Sequence, residues 1–306
     1  MQTTLKSSFT LLGTGLHTGQ PARMSVYPAS AEHGIWFRRT DVTDRDNMIP
    51  ARFDAVSNAR LCTKIFNADG VGVSTIEHLM AALAGCGVHN ALIDIDGPEI
   101  PVLDGSASRF VREILARGLR RLDSPVRALR ILEPVEIMQG ESVARLSPCA
   151  GFEMDYEIAF EDVAIGRQAL RLDLANGAFV RELCDSRTFC RQSDVDAMRA
   201  AGLALGGTLD NAVVVDGARI VTPGGMRHPD ECVRHKMLDA VGDLALAGLP
   251  ILGCYTGIRA GHAMTNALLR KLFAAPMSYE LVICDAGTVA RLPGVGLSFD
   301  DLRHVA

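Results

Sequence analysis

The sequence predicts an α+β protein of two domains, and three observations carry that prediction. Antiparallel strand pairs are mixed with single helices rather than alternating with them as βαβ units. The chain has 306 residues, enough for two domains. A polar break, RRLDSPV at Arg120–Val126, is the strongest candidate boundary, which gives an N-terminal domain over 1–124 and a C-terminal domain over 125–306.

Taken in order, residues 8–28 read as strand, glycine loop and strand, with Gly13, Gly15 and Gly19 in the loop beside His17. No helix follows the Gly-x-Gly, so it is not a dinucleotide fingerprint. Residues 35–66 mix strand with polar loop around Pro50 and RRTDVTDRDN, and read as an insertion rather than core. Ser74 is placed to cap a helix over Thr75–Ala84 that Gly85 and Gly87 end. Ser74 and Glu77 together fit an S-x-x-E capping box, which would give Glu77 a purely structural task. Ala81, Ala82 and Ala84 suit close packing against another helix. A strand at Ala91–Asp96, the loop PEIPVLDGSAS and a helix at Phe110–Arg117 complete the first half.

Beyond the break come strands at 127–137, 142–148 and 152–160, a helix near Asn176–Leu183, the segment DSRTFCR and a helix around Val195–Ala201. LALGGTLDNAVVVDGARIV reads as glycine turn, strand, turn and strand. A helix at Glu231–Gly248, a strand at 251–257, a helix at Ala263–Phe273 and a strand at Tyr279–Cys284 follow.

Composition narrows the function classes. Hydrophobic residues make up 48% and charged residues 22% of the chain, the proportions of a soluble globular protein. The net charge of −5, without a basic run, argues against a nucleic-acid partner. The N-terminal segment lacks a signal peptide's apolar core and cleavage site. The longest uncharged apolar run, Leu244–Ile258, is only about 15 residues and contains Pro250, so no stable membrane insertion is expected. Eight cysteines without a C-x-x-C pair argue against a cysteine zinc site and for reduced thiols in the cytoplasm.

The chemistry concentrates on the helix ECVRHKMLDAVGDLALAG. Val233, Met237, Leu238, Val241, Leu244 and Ala245 recur at helical steps, and Gly248 with Pro250 gives a stop. His235, Asp239 and Asp243 stand at i, i+4 and i+8 on another face, with Lys236 beside them. Residues four apart on a helix are neighbours, so an imidazole and a carboxylate there can hold one metal ion; the competing interpretation is a solvated charged stripe. Glu77–His78 at one helix start and His262 before another complete the set. Two histidines and a carboxylate suit a catalytic zinc with a fourth position left for water, and also suit ferrous iron. Such a metal polarises a carbonyl and lowers the pKa of bound water toward ~7, and a carboxylate outside the ligand set must take the water's proton. Glu77 is next to His78 and fits that task; E-H is not the H-E-x-x-H signature. His262 follows Gly261 at a helix start, where the dipole disfavours an imidazolium. A carboxylate such as Asp243 would restore its basicity and let it protonate a leaving amine. Alternatively it is an ordinary helix-flanking polar residue.

STIEHLMAALAGCGVHNALIDIDGPEIPVLDGSA, SRTF, LGG, VRHKMLDAVGDLALAG and GHAMTNALL stand here in the order and approximate spacing of a known family. From the GLHTG loop at Gly15–Gly19 to about Leu272, the chain resembles the zinc-dependent UDP-3-O-acyl-N-acetylglucosamine deacetylases, which act early in lipid A synthesis. The resemblance implies two domains of sheet-and-helix layers with the helices packed inward, and a site at their junction. It also implies an insert in each domain, near 36–66 and 190–220, the second enclosing an acyl chain. Leu203, Leu205, Val213 and Val215 are candidates for that apolar channel.

Carried over, the resemblance makes His78, His235 and Asp239 the ligands of one zinc ion. Glu77 becomes the general base. His262 becomes the general acid, oriented by Asp243. Thr188 becomes the oxyanion donor, and Lys236 and Phe189 become substrate contacts. His17 matches a histidine near the family's site. Arg259 stands where the family tends to be basic, a candidate contact for the pyrophosphate. Ser142 and Ser147 replace two expected lysines, so the nucleotide would be held differently. The expected reaction is hydrolysis of the 2-acetamido group of a UDP-3-O-(3-hydroxyacyl)-N-acetylglucosamine by a monomer, with acetate released. Rival readings are a zinc amidohydrolase for another acylated amino sugar, or a binding paralogue without activity. The second would show erosion at Glu77, His262 or a ligand, and none is eroded.

Overall fold

The computed structural model describes residues 1–57 and 61–304. Residues 58–60, inside the expected first insert, and 305–306, at the end of the expected second domain, lie outside the described residues.

The first half is built on a five-stranded sheet. Its hairpin, β2 (Phe9–Thr14) and β3 (Pro21–Pro28), turns through the glycine loop. The other members are β4 (Ile35–Arg39), β5 (Met48–Pro50) and β8 (Ala91–Ile95), in the order β2-β3-β8-β4-β5. Alternation decides its faces: Ala91, Ile93 and Ile95 of β8 are buried, whereas Leu92 and Asp94 are less so. β1 (Thr3–Leu5) pairs with β9 (Leu119–Arg121), and β6 (Lys64–Phe66) pairs with β7 (Gly72–Ser74). Helices α1 (Glu77–Gly85) and α2 (Ser108–Arg117) complete this half.

The second half carries a seven-stranded sheet. It comprises β10 (Arg127–Ile131), β11 (Val135–Gln139), β12 (Ser142–Ser147), β13 (Phe152–Ala159), β14 (Arg167–Asp173), β18 (Ile251–Ile258) and β19 (Tyr279–Ile283). The central β18 runs antiparallel to β12 and parallel to β10 and β13. A small lobe holds β15 (Phe189–Arg191), α3 (Gln192–Ala200), β16 (Val213–Asp216) and β17 (Arg219–Ile220). Helices α4 (Glu231–Leu244) and α5 (His262–Phe273) lie in this half as well. Among the described residues, no strand before Asp123 pairs with one after Val126. On that basis we propose the domain boundary at 124/125. Among the same residues, no helix is long and apolar enough to cross a membrane.

The halves meet through α1 and α4, and glycines set their spacing. A Cβ on Gly242 would lie 2.0 Å from the Glu77 carbonyl oxygen, and one on Gly85 would lie 2.1 Å from the ring of Phe179. Twelve of the fourteen residues of α4 are buried, so the helix is not amphipathic: its polar stripe faces the interior. That removes the solvated-stripe interpretation.

Several expectations need correction. The capping box does not form: Thr75 takes a left-handed φ of 58°, Ser74 stays in β7 and bonds the Pro98 carbonyl, and α1 starts without a side-chain cap. The segment 35–66 is not simply peripheral, because β4 and β5 are sheet strands and Phe37, Ile49 and Ile65 are fully buried. The strand expected at 127–137 is two, β10 and β11, broken before Pro134, which lacks a ladder N–H. The helix expected near 176–183 is a 3-10 turn and a π turn, because Asn176 and Gly177 are both left-handed. β14 went unread: its side chains alternate between exposed and partly exposed, which leaves only a weak apolar signal.

Candidate active site

Three helix segments converge on one point. The first turn of α1 supplies Glu77 and His78, α4 supplies His235, Asp239 and Asp243 from successive turns, and α5 begins with His262. All but His262 fall below one-tenth exposure.

Asp239 Oδ1 lies 3.3 Å from His235 Nε2 and 3.5 Å from His78 Nε2, and the two imidazoles stand edge to face at 84°. This oxygen is buried and has no hydrogen-bond partner. An unsatisfied buried carboxylate oxygen is costly, and one facing two imidazole nitrogens is what a divalent cation would satisfy. One ligand atom from each of the three residues falls within 4.8 Å of the others. The donor set therefore fits a metal, and the ferrous alternative fits it equally. His235 Nδ1 bonds the Ser186 carbonyl at 3.0 Å, which turns Nε2 toward Asp239. Burial lowers the His235 pKa to about 4, against the pull of Asp239, and keeps the ring neutral. Burial opposes ionisation of Asp239, but His235 and Lys236 outweigh it and hold the carboxyl well below its usual range. Lys236 Nζ is 2.8 Å from Asp239 Oδ2.

Two titratable groups flank this trio without belonging to it. Burial raises the Glu77 pKa, and its Oε2 accepts the Thr63 backbone N–H at 3.0 Å. His262 Nδ1 bonds Asp243 Oδ2 at 2.8 Å. Burial works against charge on His262, but Asp243 outweighs it and raises the pKa to about 9. The environments thus raise the carboxyl pKa of Glu77 and the imidazolium pKa of His262, the first by burial and the second by its carboxylate partner.

A cavity of about 790 Å³ runs from these groups into the small lobe. His17, Thr188, Phe189 and Lys236 line it. Thr188 is positioned by its N–H, donated to the Gly105 carbonyl at 2.8 Å, and the ring of Phe189 stands edge-on to His235. His17 is buried with both ring nitrogens unpartnered, and burial lowers its pKa. Arg259 is not brought to the cavity. It is half-exposed at the end of β18 and paired with Glu141, the neighbour of Ser142 in the β11–β12 hairpin. Ser147 lies along β12, where its Oγ reaches toward the Cys254 carbonyl. The channel candidates need adjustment. Leu203 lines the cavity, but Val213 and Val215 point into the core while Val214 faces the opening. Side chains alternate along a strand, so choosing the wrong parity inverts the assignment. Leu205 lies outside, near Gly19.

Sequence reasoning missed two residues. The Thr63 hydroxyl donates to Asp243 Oδ1 while its N–H donates to Glu77 Oε2, so one threonine bridges the two carboxyl groups. Glu99 accepts the N–H groups of His17 and Thr18 and the Thr75 hydroxyl, which pins the glycine loop beside the cavity. Glu99 stands in the loop PEIPVLDG, where an acid flanked by prolines and apolar residues was the available signal.

A family model described as UDP-3-O-acyl N-acetylglycosamine deacetylase matches residues 2–274. The chain belongs to this family. Relatives named UDP-3-O-acyl-N-acetylglucosamine deacetylase agree along nearly their whole length. One from Phenylobacterium zucineum is 49% identical over 280 residues, covering 92% of this chain and 96% of the relative. One from Anaeromyxobacter sp. is 45% identical over 294 residues, covering 95% of each. One from Pasteurella multocida is 42% identical over 286 residues, covering 93% of each. The family's deacetylase activity is a hydrolysis, and the site sets a buried carboxyl group and an imidazole beside a trio whose donor set fits a metal.

Proposed function

We propose that the chain hydrolyses the 2-acetamido group of UDP-3-O-(3-hydroxyacyl)-N-acetylglucosamine, releasing acetate and leaving a free amine, an early step of lipid A biosynthesis. The observation that carries this reading is the pair Glu77 and His262, gathered with His78, His235 and Asp239 in the lining of one cavity of about 790 Å³. A zinc ion held by His78, His235 and Asp239 would supply Lewis acidity at the carbonyl and make water a stronger acid. Glu77 takes the proton of the attacking water, and its burial gives it the basicity to do so. Thr188 donates its hydroxyl hydrogen to the carbonyl oxygen as negative charge builds there. His262 gives its Nε2 proton to the departing nitrogen while Asp243 holds Nδ1. Phe189, Lys236 and His17 contact the sugar and its acyl chain along the cavity wall. The neutral His17 ring suits a hydroxyl or carbonyl better than a phosphate. Arg259 reaches a pyrophosphate only by leaving Glu141. All eight cysteines are unpaired, which fits a reducing cytoplasm.

The test is release of free amine from that substrate before and after metal is stripped, then after zinc or ferrous iron is restored. Loss on stripping and recovery with zinc supports the reading. A metal-loaded protein that releases no amine overturns it.

A further inference from the structure

The peptide group joining Ser186 to Arg187 is gripped at both ends by α4. Its C=O accepts from His235 Nδ1 at 3.0 Å, and its N–H donates to Glu231 Oε1 at 2.9 Å. Glu231 and His235 stand one helical turn apart on the same face of α4. A trans peptide points its N–H and C=O in opposite directions, so it can span that turn only when laid along the helix. Glu231 is fully buried, and all its acceptor capacity is committed nearby. Oε1 also takes Arg187 Nε at 2.9 Å, and Oε2 takes Arg187 Nη2 at 3.2 Å and the Arg227 N–H at 2.6 Å. Arg187 Nη2 further bonds the Gly225 carbonyl at 2.7 Å. Apart from His235, none of these groups lines the cavity, and none belongs to the acid–base pair.

We propose that Glu231 is a positioning residue for His235, acting through the Ser186–Arg187 peptide. The carboxylate polarises the peptide N–H, which makes the Ser186 oxygen a stronger acceptor. That oxygen holds the His235 proton on Nδ1 and leaves the Nε2 lone pair facing Asp239. The arrangement is a carboxylate–peptide–histidine relay, in which a backbone amide stands between the acid and the ring. It also fixes the turn that leads directly into Thr188 and Phe189. The relay rests on the reading of His235 as a metal ligand. Loss of an outer partner of a ligating histidine typically weakens metal affinity by roughly 10–100-fold.

The experiment measures zinc affinity of the full-length metal-free protein by competition with a chromogenic chelator, so the readout is binding rather than turnover. Glu231→Gln keeps the shape and removes the charge. The double variant Glu231→Gln with Arg187→Met removes both members of the buried pair and covers the case in which the lone guanidinium prevents folding. Phe110→Ala, in the core of α2, controls for general destabilisation. The relay predicts zinc binding weakened by about 10–100-fold in the Glu231 variants and unchanged in Phe110→Ala. Binding within about twofold of wild type in a folded Glu231 variant overturns the relay, as does an equal loss in Phe110→Ala. A His235→Ala protein that binds zinc as tightly as wild type overturns the ligand assignment itself, and the relay with it.

Discussion

Two of the three buried carboxylates of α4, Glu231 and Asp239, stand two turns apart, and the protein treats them in opposite ways. Glu231 has both oxygens saturated by Arg187 and Arg227. Asp239 has one oxygen on Lys236 and one with no partner, facing two imidazoles. Both lie below one-tenth exposure, so burial alone does not separate a structural charge from a functional one. An orphaned buried oxygen marks where something else must bind, whereas a fully bonded acid such as Glu231 or Asp243 acts through the groups it holds.

Asp239→Ala should abolish stoichiometric zinc binding, read by metal analysis after dialysis; retention of one zinc per chain would mean the orphaned oxygen is not a ligand. Glu77→Ala and His262→Ala should each lower amine release by roughly 10²–10⁴ while zinc content stays at wild-type level. Full activity in Glu77→Ala would leave that residue only its bond to Thr63. In the metal-free protein the order of the two carboxylates should reverse. Glu231→Ala, which strands a buried guanidinium, should cost about 3–5 kcal/mol in urea unfolding, and Asp239→Ala much less. Equal losses would erase the contrast.

Glu77 must be ionised and His262 protonated, so the rate should rise with pH through the raised Glu77 pKa and fall as pH passes about 9, where His262 loses its proton. Asp243→Asn removes the charge that raises His262, so the descending limb should move to lower pH; an unmoved limb would assign it to another group. The smallest effect is expected at Arg259→Ala. Its pair with Glu141 is exposed and worth at most about 1 kcal/mol, so a large loss of kcat/KM would mean that Arg259 swings to the substrate.

The residues that converge on the candidate site were legible because they are local patterns: a helical stripe at four-residue steps, an adjacent Glu-His pair, and a histidine at a helix start. Most elements were legible for the same reason. What escaped depends on distant parts of the chain. Thr63 meets Asp243 across 180 residues, and nothing in the neighbourhood of LCTK announces it. The acceptor for His235 is a backbone carbonyl, which no side chain can reveal. The capping box matched in spacing and failed because Thr75 bends the chain through a left-handed conformation, where Glu99 holds its hydroxyl. The facing of Val214 turned on strand parity, which a run of three valines hides.

The glycine contact between α1 and α4 has a mechanical consequence. His78 is mounted on one helix and His235 with Asp239 on the other, and at Gly242 only a hydrogen atom separates α4 from the Glu77 carbonyl. Side chains usually act as gaskets that absorb small misalignments, and at Gly242 there is none. The ligand spacing is therefore machined into the backbone of the joint, and an ion seated there would act as a rivet across it. Chelation should then loosen amide exchange along both helices at once, far beyond the three residues that touch the ion.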